Sequence, residues 1–182
     1  GFMKIQVIIS NVFDIPADIL LVQSNIHKPC EKPTSLMSQT FTLAGEKFKI
    51  KFDFETKEGR LAYGDVLVMT PDNLSNKFIS VCVGFPGTGN PESYDLMLKN
   101  LFSYGYGLAG NLKRRVSISA PPVGTNVGGL TMEEFMQGLN ERFSMLKETG
   151  NFRRFEVFNL AAKNQEQKEL MESLLEIQII NL

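Results

Sequence analysis

The stretch from Ser117 to Phe143, SISAPPVGTNVGGLTMEEFMQGLNERF, constrains the fold more than any other. It begins inside an apolar, β-branched run, Arg115–Ala120, that reads as a buried strand. Gly124, Gly128 and Gly129 then mark a turn. From Thr131 to Leu146 the apolar residues recur at helical spacing: Met132, Phe135, Met136, Leu139, Phe143 and Leu146. Thr131 and Glu134 have the spacing of a capping box, and the stripe is expected to pack into a core. A strand entering a helix through a glycine turn has two uses. Its amide N–H groups and the positive end of the helix can cradle an anion. Alternatively, the glycines only allow a tight corner. A Walker loop would need Lys where Leu130 stands, and GTNVGG does not match G-x-G-x-x-G. The residues alone leave both uses open.

Around this unit, strands are expected at Lys4–Ser10, Ile19–Gln23, Gly64–Met69, Phe78–Val83 and in RRFEVFNL. Phe48–Phe54 (FKIKFDF) alternates and reads as a half-exposed strand. Helices are expected at Leu36–Leu43, at Pro91–Leu112 with Ser93 as N-cap, and after Asn164, where Leu170, Met171, Leu174 and Leu175 follow. The closing IQIINL reads as either helix tail or short added strand. The order predicts one α/β domain over residues 3–182: a three-layer sandwich with a mixed central sheet and helices on both faces. Ligands of such sheets sit beyond the carboxyl ends of the strands. The loops after ILLVQ, FISVCV, RVSISA and FEVF are therefore the candidate positions.

Composition narrows the function. A formal net charge of -1 argues against a protein that coats nucleic acid or an anionic membrane. Lys113, Arg114 and Arg115, the one compact basic triplet, read as solvated surface. No run approaches the roughly 18 apolar residues of a membrane span. The first residues lack a signal peptide's basic head and cleavage site, and Gly1 and Phe2 read as additions ahead of Met3. Cys30 and Cys82 form no disulfide framework; Cys82 reads as a core thiol, so a reducing, cytoplasmic setting is expected. The lone His27 with Cys30 and Glu31 offers too few ligands for a metal, and neither a metal nor a cofactor is expected. Asp14 with Asp18 and Asp53 with Glu55 read as exposed acids rather than a catalytic pair.

VSISAPPVGTNVGGLTMEEF, followed by FRRFEVFN, resembles the macro domain family. The front half agrees: SNVFDIPADILLVQSN is similar to the family's Gly-Asp-Ile-Thr run and its Val-Asn-Ala-Ala-Asn motif. GRLAYGDVLVMTPDNLSNKFISVCVG is similar to its middle segment. The resemblance covers most of the chain in the correct order. It implies binding of ADP-ribose or a related adenine nucleotide, free or carried on an ADP-ribosylated protein. Adenine would lie near Asn11 and Phe158, with Asn11 at the family's acidic adenine contact. The diphosphate would lie on backbone amides of Gly124, Thr125, Asn126, Val127, Gly128 and Gly129, and the distal ribose near Asn25.

Two departures bear on activity. Family members that hydrolyse ADP-ribosyl bonds carry glycines soon after that Asn, whereas NIHKPCEKPTSLMSQ has none before Gly45. Val22 replaces the earlier Asn of the second motif. The resemblance therefore implies binding without efficient hydrolysis. A hydrolase with Asn25 as its weak catalytic candidate and His27 as proton carrier is the alternative. SISAPPVGTNVGGLTMEEFMQGL also resembles the amino-terminal domain of leucine aminopeptidases, which implies a third option: an assembly module without nucleotide.

Overall fold

In the computed structural model, residues 2–57, 59–125 and 128–176 are described. Among the described residues six strands form one sheet: β1 (Lys4–Ile9), β2 (Ile19–Gln23), β3 (Val66–Met69), β4 (Ser80–Gly84), β5 (Val116–Ala120) and β6 (Phe155–Ala162). Their order across the sheet is β1-β6-β5-β2-β4-β3. All neighbours are parallel except β3, which runs antiparallel to β4 at the edge. The mixed, helix-covered sheet is the expected α/β architecture.

Side chains alternate along each strand, so a strand between two helical layers is apolar on both faces. In β2, Ile19 and Leu21 enter one core while Leu20 and Val22 enter the other. The first core is closed by α3 (Pro91–Leu112), α4 (Met132–Thr149) and α5 (Gln165–Leu174). The second lies beneath α1 (Leu36–Ala44) and α2 (Glu46–Glu55). Each buried large apolar side chain contributes roughly 1.5–3 kcal/mol relative to leaving it exposed. The expected stripe of α4 is core: Phe135, Met136, Leu139 and Phe143 are at most 1% exposed. Its capping box forms as expected, with Glu134 N–H donating to Thr131 Oγ1 and Thr131 N–H to Glu134 Oε1, both at 3.0 Å. Cys82 is fully buried, and burial pushes its thiol up.

Three expectations are corrected. FKIKFDF is not a strand but most of α2. Alternation also has a helical solution: Phe48 and Phe52, four apart, both face the core, and Ile50 and Phe54 both face outward. Phe52 meets Phe41 of α1 at 5.1 Å between centroids, and Lys49 pairs with Asp53 at 2.8 Å along the outer surface. The N-cap of α3 is Asn90, not Ser93; its side chain accepts from the N–H groups of Glu92 and Ser93, and Pro91 follows at the first turn. The basic triplet is not simply solvated. Arg114 grips both carboxylate oxygens of Asp18, at 2.7 and 3.1 Å, and Arg115 donates to the carbonyls of Phe155 and Phe2. The expected ending IQIINL lies outside the described residues.

Candidate functional site

β5 and β2 lie side by side in the sheet, and a cleft opens at their carboxyl ends. After β2 the chain runs through α1 and α2 to β3 on one side, and after β5 it runs through α4 to β6 on the other. Neighbouring parallel strands whose connections run in opposite directions across the sheet leave a crevice outside their carboxyl ends, where ligands of α/β sheets bind. The pairing shows the parting. β2 pairs β4 along its whole length, from Ile19↔Ser80 to Gln23↔Gly84. It pairs β5 only at Ile19↔Ile118 and Leu20↔Ser119. Pro121 and Pro122, which lack an N–H, follow β5 and cannot extend that ladder. The resulting cleft has a volume of about 930 Å³.

The four expected loops all line it. Ser24, Asn25 and Ile26 follow β2; Pro86, Gly87 and Thr88 follow β4; Pro121–Thr125 and Gly128 follow β5; Lys163 follows β6. Ser10, Asn11, Val12 and Phe13 add the end of β1, and Ser35, Leu36 and Met37 add the start of α1.

The expected residues fall as follows. Asn11 lies in the lining, just beyond β1, where its Oδ1 accepts from Phe13 N–H at 3.1 Å and caps a short 3-10 turn. Asn25 lies in the lining beyond β2, with its Oδ1 accepting from His27 N–H at 2.9 Å. Gly124, Thr125 and Gly128 lie in the lining, and Gly129 follows beside them. Asn126 and Val127 lie outside the described residues. Phe158 is a correction. It is 1% exposed, packed against Phe102 at 5.7 Å and Phe143 at 5.4 Å in the α3/α4 core. It lies mid-strand in β6, and only the end of that strand, Ala161 and Ala162, reaches the cleft.

The glycine turn is built as a tight structure in its own right. Gly124 and Gly129 have φ of 78° and 77°, which favours glycine. A Cβ on Gly128 would lie 2.5 Å from the carbonyl oxygen of Gly124, so nothing larger fits without moving backbone. Leu130 N–H donates to Gly124 O at 2.9 Å, and Gly89 N–H donates across to Gly128 O at 2.5 Å. The second bond ties the loop before α3 to the loop before α4. Thr125 Oγ1 donates to Pro122 O at 2.6 Å and closes the near end.

The electrostatics were hidden by the overall charge. Lys28, Lys32 and Lys163 line the cleft, and no Asp or Glu does among the described residues. The resemblance implies a diphosphate held on backbone amides, and these lysines add positive charge to the same cleft. A nearly neutral chain can still present a local positive field, because Coulomb interactions decay within about 8–10 Å in physiological salt. Lys28 also lies 3.5 Å from the exposed Glu31. Tyr63 and Gln167 line the cleft as well and carried no signal in the sequence beyond their loop positions. His27 is exposed and stands edge-on to Tyr63, 6.4 Å between centroids. Cys30, in the lining, uses its carbonyl to accept the hydroxyls of Ser35 and Ser38. No cluster of His, Cys, Asp and Glu suited to a metal occurs among the described residues. No described helix is long and apolar enough to cross a membrane.

No protein-family model matches this sequence, and no curated protein matches it. Solved structures do match. The macro domain of ganglioside induced differentiation associated protein 2 superposes with a TM-score of 0.72 at 15% identity, over 96% of this chain and 83% of that one. A Trypanosoma brucei macrodomain in complex with ADP gives 0.74 at 16% identity, over 94% of this chain and 68% of that one. An Oceanobacillus iheyensis macrodomain with ADP gives 0.67 at 13% identity, over 95% and 90%. At such identities the likeness speaks for the backbone, and it extends over nearly the whole chain. This chain has the macrodomain fold.

Proposed function

We propose that the cleft binds ADP-ribose or a closely related adenine nucleotide, and that the protein is a binding module without efficient hydrolase activity. The observation that carries this is the tied glycine turn, described at Gly124, Thr125, Gly128 and Gly129, set at the parted ends of β5 and β2 in a lysine-lined cleft free of carboxylates among the described residues. That setting suits a diphosphate: Gly128 of the turn and Met132 at the start of α4 are in the lining, where glycine backbone and a helix amino end favour an anion, and no carboxylate is among the described lining residues. Structures of the same fold, from Trypanosoma brucei, hold ADP and ADP-ribose, which supports the same ligand class here. The adenosine would lie toward Asn11 and Lys163 and the distal ribose toward Asn25. An ADP-ribose carried on a protein would offer the same nucleotide.

The binding reading is favoured over hydrolysis by the state of Asn25. Its carbonyl oxygen is already engaged by His27 N–H, and no Asp, Glu or His lines the described cleft to move a proton. Thermal unfolding with ADP-ribose and ADP tests the reading. A ligand at a hundred times its Kd stabilises by about 2.7 kcal/mol, which for a chain of this size is a rise in Tm of about 5–10 °C. No rise with either nucleotide at millimolar concentration contradicts it and leaves an assembly module as the account.

A further inference from the structure

The order of the strand ends sets the order of groups along the cleft. Asn11 and Lys163 stand at the β1/β6 end, the glycine turn follows β5, Asn25 follows β2, and Pro86–Thr88 follow β4. Beyond them, at the end opposite Asn11, stands an aromatic group that the nucleotide reading leaves unused. Tyr63 lines the cleft yet is 47% exposed. Its position is fixed from three sides. Gly64 N–H donates to Phe85 O at 2.6 Å, anchoring its neighbour to the end of β4. Gly87, at φ 70°, lies against the ring, where a Cβ would come within 3.2 Å. His27, from the loop after β2, meets the ring edge-on at 86°.

We propose that this end of the cleft is a stacking subsite for a second planar ring, so that the cleft takes a dinucleotide: two nucleosides joined through a diphosphate. The proposal rests on the nucleotide reading above. A preplaced, half-exposed ring with bare glycine backbone beside it is a surface onto which a heterocycle can stack, and stacking tolerates any planar base. The size agrees. Pockets for small ligands run from about 300 to 1,000 Å³, and 930 Å³ is near the top of that range. The charge agrees as well: Lys28 lies near this end, Lys163 at the other, and the glycine turn between them.

Calorimetry on the wild type, Tyr63→Phe and Tyr63→Ala, with ADP, NAD+ and P1,P2-di(adenosine) diphosphate as probes, tests it. Both dinucleotides bind the wild type about tenfold or more tighter than ADP. Tyr63→Phe keeps that advantage. Tyr63→Ala abolishes it while leaving the affinity for ADP and the unfolding temperature unchanged. ADP and the dinucleotides binding the wild type equally, or Tyr63→Ala leaving the dinucleotide advantage intact, overturns the subsite and spares the nucleotide reading. Failure of ADP, ADP-ribose and both dinucleotides to bind overturns both.

Discussion

Gly128 packs so closely on Gly124 that a Cβ added to it would lie 2.5 Å from the Gly124 carbonyl oxygen and 2.6 Å from its Cα. Both nearest atoms are backbone, so the loop rather than a side chain must give way. Gly128→Ala is expected to distort the turn and weaken ADP-ribose binding by at least about tenfold, a loss on the order of 1.4 kcal/mol. Gly128 is only partly buried, although Val123 and Leu130 on either side of the turn belong to the α3/α4/α5 core, so the unfolding temperature should fall by only a few degrees. Paired calorimetry and thermal unfolding of the variant check this. Unchanged affinity would mean that the turn does not contact the ligand.

Thr131 caps α4 immediately after that turn. Thr131→Ala removes the oxygen that accepts from Glu134 N–H and is expected to cost about 1 kcal/mol of stability. Urea unfolding reads this directly. Thr131→Ser, which keeps the oxygen, should restore most of the loss.

Gly105 of α3 faces the sheet, where a Cβ would lie 2.7 Å from a ring carbon of Phe155 and 3.4 Å from Ile19. The helix therefore approaches the strands as closely as it does because this residue has no side chain. Gly105→Ala gains helix propensity of up to about 1 kcal/mol, but overpacking a dense core costs about 1–3 kcal/mol. The net change is expected to be destabilising. A variant more stable than wild type would show that the ring moves aside freely.

Asp18 stands at the end of the sheet away from the cleft. Burial pushes its carboxyl up, but the Arg114 guanidinium, with the N–H and hydroxyl of Ser117, more than offsets this and holds it below the usual carboxylate range. A lowered pKa in the folded state contributes stability above the unfolded value, near pH 4. That contribution is lost as pH falls through the folded value. Stability of the wild type should therefore exceed that of Asp18→Asn at pH 6, with the gap closing as pH falls below about 4. Arg114 is half exposed, so screening keeps its part of the gap modest. A gap that stays constant across this range would show that the pair is not the source.

The strand–turn–helix unit at 117–143 was readable because each signal agreed: β-branched strand, glycine turn, capping box and a 3.6-residue apolar stripe. The four loops of the cleft followed from the α/β rule once the strands were located. α2 was misread because alternation over seven residues fits a strand with one apolar face as well as a helix with two. Only the exposure of Ile50 and Phe54 separates them, and exposure is a tertiary fact. The resemblance implies adenine beside Phe158, whereas its place in the middle of β6, short of the strand end, keeps it in the core. Lys28 and Lys32 share the loop after β2, Tyr63 precedes β3 and Lys163 follows β6, and only the strand order brings these three loops to one cleft.

The central claim is that the cleft at the parted ends of β5 and β2 binds ADP-ribose through its glycine turn. Titration calorimetry of the wild type with ADP-ribose, repeated with Gly128→Ala, tests it most directly. The account predicts one site per chain on the wild type and at least a tenfold weaker one on the variant. No heat of binding on the wild type, or equal affinity in the two proteins, would contradict it.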